Sequence, residues 1–180
     1  KSNNLIMEHL QYPIGKFTAG LLHSDDDIKS YVNEIKLLPQ LLKNLTENLS
    51  NEELNKTYRE GSWTVKQVIH HLGESHINCY IRIKLALTED NPTIKPYQED
   101  MWVKTKENEL LSHHVSLQLV ETIHVKIVCL AETLTAQDLQ RTYVHPQYQR
   151  ISPISDVLAL YSWHGKHHLA HIKLALGIAI

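Results

Sequence analysis

The sequence predicts an all-α fold, a four-helix bundle with long loops. Three observations point there. Four stretches repeat apolar residues at helical spacing, cap-forming residues stand at their starts, and no stretch carries a convincing strand pattern. The 180 residues suit one domain, 1–180, with ample length for a real core.

Residues 1–23 read as an irregular lead, with Tyr12-Pro13-Ile14-Gly15 as a turn. The first helix starts after the cap Ser24. Asp25, Asp26 and Asp27 follow, where acidic groups suit the positive end of a helix dipole. Ile28, Tyr31, Val32, Ile35, Leu38, Leu42, Leu45 and Leu49 form its stripe, and Pro39 inside that pattern predicts a bend. Gly61-Ser62 break the chain before a second helix. Thr64 and Gln67 have capping-box spacing there, and the pattern runs to about Leu87.

Residues 88–111 read as a long loop with a short helix around Asp100–Lys106. A third helix spans about Ser112–Leu134, with Val115, Leu119, Val120, Ile123, Ile127, Leu130 and Leu134 as its stripe. A second loop covers 135–151. The fourth helix starts at Ser152-Pro153, read as a cap with proline in first helical position, and continues to about Leu176. Loops this long in a plain bundle are often functional.

Composition narrows the function classes. The formal charge is 18 − 20 = −2, so there is no basic stripe for nucleic acid and no field drawing the chain to an anionic membrane. No apolar run approaches the roughly 20 residues of a bilayer span, and the start lacks a signal-peptide apolar core. Cys79 and Cys129 sit in apolar helical patterns and read as reduced core residues, so a cytoplasmic location is expected. The unusual number is 13 histidines.

On the fourth helix, at about 100° per residue, His168 lies near +40° and His171 near −20° from His164. Val157, Leu160, Tyr161, Ile172 and Ala175 share that direction, while Lys166 and Lys173 point away. Several imidazoles inside an apolar stripe each need a buried partner or a shared ion. An i, i+4 pair such as His164 and His168 can reach one cation. Gly165 stands where a zincin-type motif would carry its base, so a metalloprotease helix is not indicated. His167 and His171 form a competing pair further from the centre of the face.

The second helix offers His70, His71 and His76. His71 lies on a polar stripe with Gln67, Ser75, Asn78 and Arg82, which reads as a cleft wall or, more commonly for such stripes, a solvated face. His76 lies in the apolar stripe as a satisfied core residue or a partner of a ligand. Periodicity does not choose between His71 and His76.

The segment from Tyr58 to His76, with Trp63-Thr64-Val65-x-Gln67-Val68-x-His70-His71, resembles the DinB/YfiT-like family. So do Ile77–Leu85, Tyr12–Gly15, Tyr143-x-His145-Pro146 and Trp163-His164-x-x-His167-His168-x-x-His171-Ile172. The resemblance runs from about residue 12 to 175. It implies a four-helix bundle with a three-histidine metal site near one end, and its pattern places the ligands at His71, His164 and His168. Zn2+ is the first expected ion and Ni2+ the second, which imidazole ligands alone do not separate. Family members are described as metal-dependent hydrolases. Relatives include transferases that join a low-molecular-weight thiol such as bacillithiol to an electrophile. A non-catalytic metal-binding or stress-related bundle is the third reading. A small-molecule substrate and a homodimer are implied partners, with Ile77 and Ile81 as interface candidates. The sequence names no clear catalytic base. Glu74 is the nearest candidate, Asn78 and Arg82 are candidate anion binders, and Tyr97, Trp102 and His145 lie on loops suited to covering the site.

Overall fold

Four long helices and one short β-hairpin frame the computed structural model, which describes residues 8–180. Residues 1–7, part of the predicted irregular lead and of the leader reading, lie outside the described residues. The helices are α1 (Asp25–Thr46), α2 (Val65–Thr88), α3 (His113–Glu132) and α4 (Ile154–Leu176). The hairpin pairs β1 (Thr142–His145) with β2 (Arg150–Pro153), antiparallel, with Tyr143 opposite Ser152.

Local chemistry sets most boundaries. Ser24 and Asp27 close a capping box on α1, and Thr64 and Gln67 close another on α2. Each box satisfies two backbone N–H groups that a helix start leaves open. α1 runs through Pro39. Proline has no N–H, so the Ile35 carbonyl four residues earlier loses its helical partner. The predicted turn is present: the Gly15 N–H donates to the Tyr12 carbonyl at 2.9 Å, and Gly15 has φ +82°.

Several boundaries differ from the sequence reading. Residues 8–11 are helical rather than irregular. The 88–111 loop holds two short helices, Glu99–Trp102 and Lys106–Leu110. The predicted 135–151 loop holds β1 and the start of β2, strands of four residues each that are too short for a period-2 signal. Ser152 belongs to β2 and makes no cap; Pro153, at φ −72° and ψ 156°, is the residue before the first helical turn.

The α3 stripe faces the core at Val120, Ile123, Ile127, Leu130 and Leu134, as its period predicts, and departs from it at its first turn. Val115 is exposed, while Ser116, Leu117, Val120, His124 and Val128 are buried. Cys129 is likewise exposed, whereas Cys79 is buried as expected; both thiols are free. By length and composition α3 could cross a bilayer, contrary to the sequence reading. It packs instead along α2 and α1.

The broad contacts are α2 with α3, α1 with α4, α1 with α3 and α2 with α4. Sequential α1 and α2 therefore sit diagonally. Gly165 makes the α1–α4 approach possible, because an added Cβ would lie 2.6 Å from Leu38 Cδ2. Two apolar clusters fill the bundle. One includes Ile35, Cys79, Ile83, Ile127 and Leu158; the other includes Leu38, Leu42, Ile69, Leu72, Val120 and Ile172. Along α4, cluster one ends at Tyr161 and cluster two resumes at Leu169 and Ile172. His164 and His168 fall in the gap, so the histidines form a polar layer between two apolar ones.

Candidate metal centre

Helices α2 and α4 lie side by side, and that contact joins residues 93 positions apart. His71 Nε2 and His164 Nε2 are 3.2 Å apart, and one ring nitrogen from each of His71, His164 and His168 lies within 4.8 Å of the others. Two imidazoles on one tetrahedral zinc, at bonds of about 2.05 Å, put their nitrogens about 3.3 Å apart. The His71–His164 pair already has that spacing, and with His168 close by the three residues make a group able to gather on one divalent ion. The ring of Trp63 packs beside His71, with centroids 4.6 Å apart, and stacks over His168 at 6.1 Å. His70 turns away, its Nδ1 lying 2.7 Å from Ser116 Oγ on α3. Of the His70-His71 pair, only the second faces α4.

Burial disfavours the charged imidazolium throughout this layer. It pushes His71, His124 and His171 down to about 4, and His76, His164 and His168 well below the ordinary histidine range. At neutral pH each ring therefore has one N–H and one lone pair.

That constraint fixes which nitrogen is which. The Ile35 carbonyl, left open by Pro39, only accepts; His124 Nδ1–H therefore donates to it at 2.6 Å. His124 Nε2 must then accept, so His76 Nδ1–H donates to it at 2.7 Å. His76 Nε2 in turn accepts from His164 Nδ1–H at 3.2 Å. His164 is left with its lone pair on Nε2, the nitrogen facing His71. A second chain serves His168. His171 Nε2–H donates to the Gln11 carbonyl at 3.1 Å, so its Nδ1 accepts from His168 Nδ1–H at 3.3 Å. His168 also presents Nε2. Partners that orient a ligand's ring this way are a general feature of histidine metal sites.

His124 was missing from the sequence reading, and the available signal was slight: it lies one turn from the buried Val120 and Val128. His76 and His171 are partners of the two α4 residues rather than members of the three. His167 stacks on Trp163 at 4.4 Å with its Nδ1 buried and unpartnered.

A cavity of about 290 Å³ opens beside His164, lined by Ser75, Arg82, Tyr97, Glu99, Tyr143, His145, Arg150, Asp156 and Tyr161 among others. The polar stripe of α2 is thus a buried wall at His71, Ser75 and Arg82, not a solvated face. Other sequence candidates fall elsewhere. Glu74 Oε1 accepts from Asn108 Nδ2 at 2.6 Å, and Asn78 Nδ2 donates to its own helix at the Glu74 carbonyl. Trp102 packs on Tyr97 at 4.5 Å and is 41% exposed. Glu99, which the sequence reading overlooked, lines the cavity while exposed overall, and partial desolvation together with Asp100 raises its carboxyl above the usual range.

Residues 34–172 match the family model described as the DinB superfamily. The chain belongs to the DinB superfamily. Among DinB relatives, it is 50% identical over 166 residues to "Putative metal-dependent hydrolase BH0277" of Halalkalibacterium halodurans, covering 92% of this chain and 96% of that one. It is 48% identical over 162 residues to "Putative metal-dependent hydrolase OB0782" of Oceanobacillus iheyensis, covering 90% and 93%. The structure of YfiT from Bacillus subtilis, described as a probable metal-dependent hydrolase with an unusual four-helix bundle topology, superposes with TM-score 0.90. The two share 36% identity over 95% of this chain and 99% of YfiT. The diagonal placement of α1 and α2 is consistent with that description. A mycothiol-dependent maleylpyruvate isomerase shares the fold at TM-score 0.65 and 17% identity, covering 84% of this chain and 63% of that one.

Proposed function

We propose that this DinB protein is a metal-dependent hydrolase acting on a small molecule, with His71, His164 and His168 holding one divalent ion, zinc before nickel. The observation that carries the reading is the convergence of three neutral imidazoles beside a cavity, supported by the names of its relatives. Three protein ligands leave a tetrahedral position free, as catalytic sites require. When bound, such an ion polarises the reacting group and lowers the pKa of water or a thiol.

The chain's own residues supply the rest. Trp63 and Tyr161 shield the imidazoles from bulk water. Asp156 is already engaged by His23, Arg150 and the Gly20 N–H. Glu99 lines the cavity without such contacts, and we assign it the proton-accepting role that hydrolysis of a carbonyl or similar centre needs. Thiol S-transfer is the second reading, favoured by Asn108 holding Glu74, the base the sequence suggested. The two separate on one variant. Glu99→Gln should abolish hydrolysis across an ester and amide panel with zinc content unchanged, whereas transfer of a thiol to an electrophile should survive it. Elemental analysis of the purified protein tests the centre itself; a protein that carries no transition metal and accepts none sinks both readings.

We further propose a homodimer through the face bearing Ile81, which is 47% exposed; Ile77 is half-buried against the core and contributes less. Sedimentation showing a monomer at micromolar concentration would remove that proposal.

A further inference from the structure

The cavity beside His164 contains two arginines in contrasting circumstances. Arg150 Nη2 donates to Asp156 Oδ2 at 2.7 Å, so its charge is matched in place. Arg82 is 8% exposed, yet among the described residues no carboxylate or carbonyl holds its guanidinium by a hydrogen bond or ion pair. Withdrawing a guanidinium from bulk water without a partner is costly unless it faces a wet or ligand-filled space. The cavity is that space. Arg82 lies close enough for its charge to act on Tyr97, Glu99, Tyr143, His145 and His164 around it. Glu99 is across the same space and makes no ion pair with it. A second unmatched group stands beside it. His145, at the end of β1 and also 8% exposed, lines the cavity with a buried Nδ1 that has no partner. The side chains of Tyr97, Tyr143, Tyr161 and Ser75 add hydroxyl groups to the wall.

We infer that Arg82 and His145 form an anion subsite, which takes a carboxylate or phosphate group of the substrate and places the rest of that molecule toward His164. Arginine suits this role because its planar fork donates two parallel hydrogen bonds to such oxygens. The hairpin has a function on this account: it delivers His145 to the cavity opposite the α2 residue that supplies the charge. The inference deepens the proposed enzyme reading by naming a substrate class, and it rests on that cavity being where substrate binds.

The test is an NMR titration of 15N-labelled protein with sodium acetate and, separately, inorganic phosphate, following the Arg82 Nε–H signal. The zinc-loaded protein and the His168→Ala variant are both titrated. The expected result is a saturable shift of that signal with at least one anion in both forms, the tighter anion naming the group. Arg82→Gln should weaken binding by about tenfold or more, with Arg82→Lys intermediate. A signal that stays fixed in the wild-type protein overturns the subsite without depending on any variant's folding. Binding seen with zinc and lost in His168→Ala also overturns it, by placing the anion on the ion, and leaves the metal reading standing. A shift that persists in a protein with no hydrolytic turnover supports the subsite and counts only against the proposed reaction.

Discussion

The two candidate ligands on α4 are each anchored at Nδ1 by a second histidine, and the one on α2 is not. His164 and His168 each donate Nδ1–H to a second histidine, and each of those chains ends on a backbone carbonyl. His71 has a buried Nδ1 with no partner. Its 3.2 Å contact with His164 Nε2 is a hydrogen bond only with the proton on His71 Nε2, because His164 must accept there. To ligate through Nε2, His71 must carry its proton on Nδ1 instead. Helix α4 thus supplies a preset half of the candidate site and α2 an adjustable one.

The largest effect expected from breaking this arrangement is loss of the α4 half. His168→Ala should abolish stoichiometric zinc in elemental analysis of a protein that remains helical by circular dichroism. Next come the partners. His76→Phe and His171→Phe should each weaken zinc binding by about 10–100-fold, read by competition with a chromophoric chelator. Unchanged affinity in both would show that the hydrogen-bond chains do not set the ligands.

A smaller and more specific effect is expected at Pro39. Pro39→Ala supplies an N–H that competes with His124 for the Ile35 carbonyl. Helix propensity alone favours alanine by up to about 3 kcal/mol. Thermal stability of the metal-free protein should therefore rise while zinc affinity falls; a variant that gains both separates Pro39 from the site.

Acid should weaken the metal-free fold. A buried histidine such as His124, held down to about 4, binds fewer protons folded than unfolded between that value and the ordinary 6.5. Stability is full above pH 6.5 and is lost as pH falls toward 4. Denaturant midpoints that stay level across that window would contradict the assigned neutral state. The subtlest expectation is spectroscopic. On zinc addition, 15N shifts should report a tautomer change at His71 and none at His164 or His168.

Much of this was legible in the sequence. The cap at Ser24 and the capping box at Thr64 marked helix starts through local hydrogen bonding, and the fourth helix put His164, His168 and His171 inward by period alone. The family resemblance singled out His71. The core face of α3 was legible in Val120, Ile123 and Ile127, but its buried Ser116 and His124 were not, because an apolar repeat passes over polar residues that neighbouring helices cover. The hairpin was not legible either, since its four-residue strands carry no period-2 signal and pair with each other and with Thr93 only in the folded chain.

Local spacing by itself determined that four helices form and that imidazoles enter the interior. Tertiary packing decided what those imidazoles do. His71 reaches His164 across 93 positions, and His124 reaches Ile35 across 89. A helical repeat encodes the direction of a side chain from its own axis, but not which helix lies opposite. The diagonal arrangement of α1 and α2 sets that, and with it the carbonyl that Pro39 leaves open for His124.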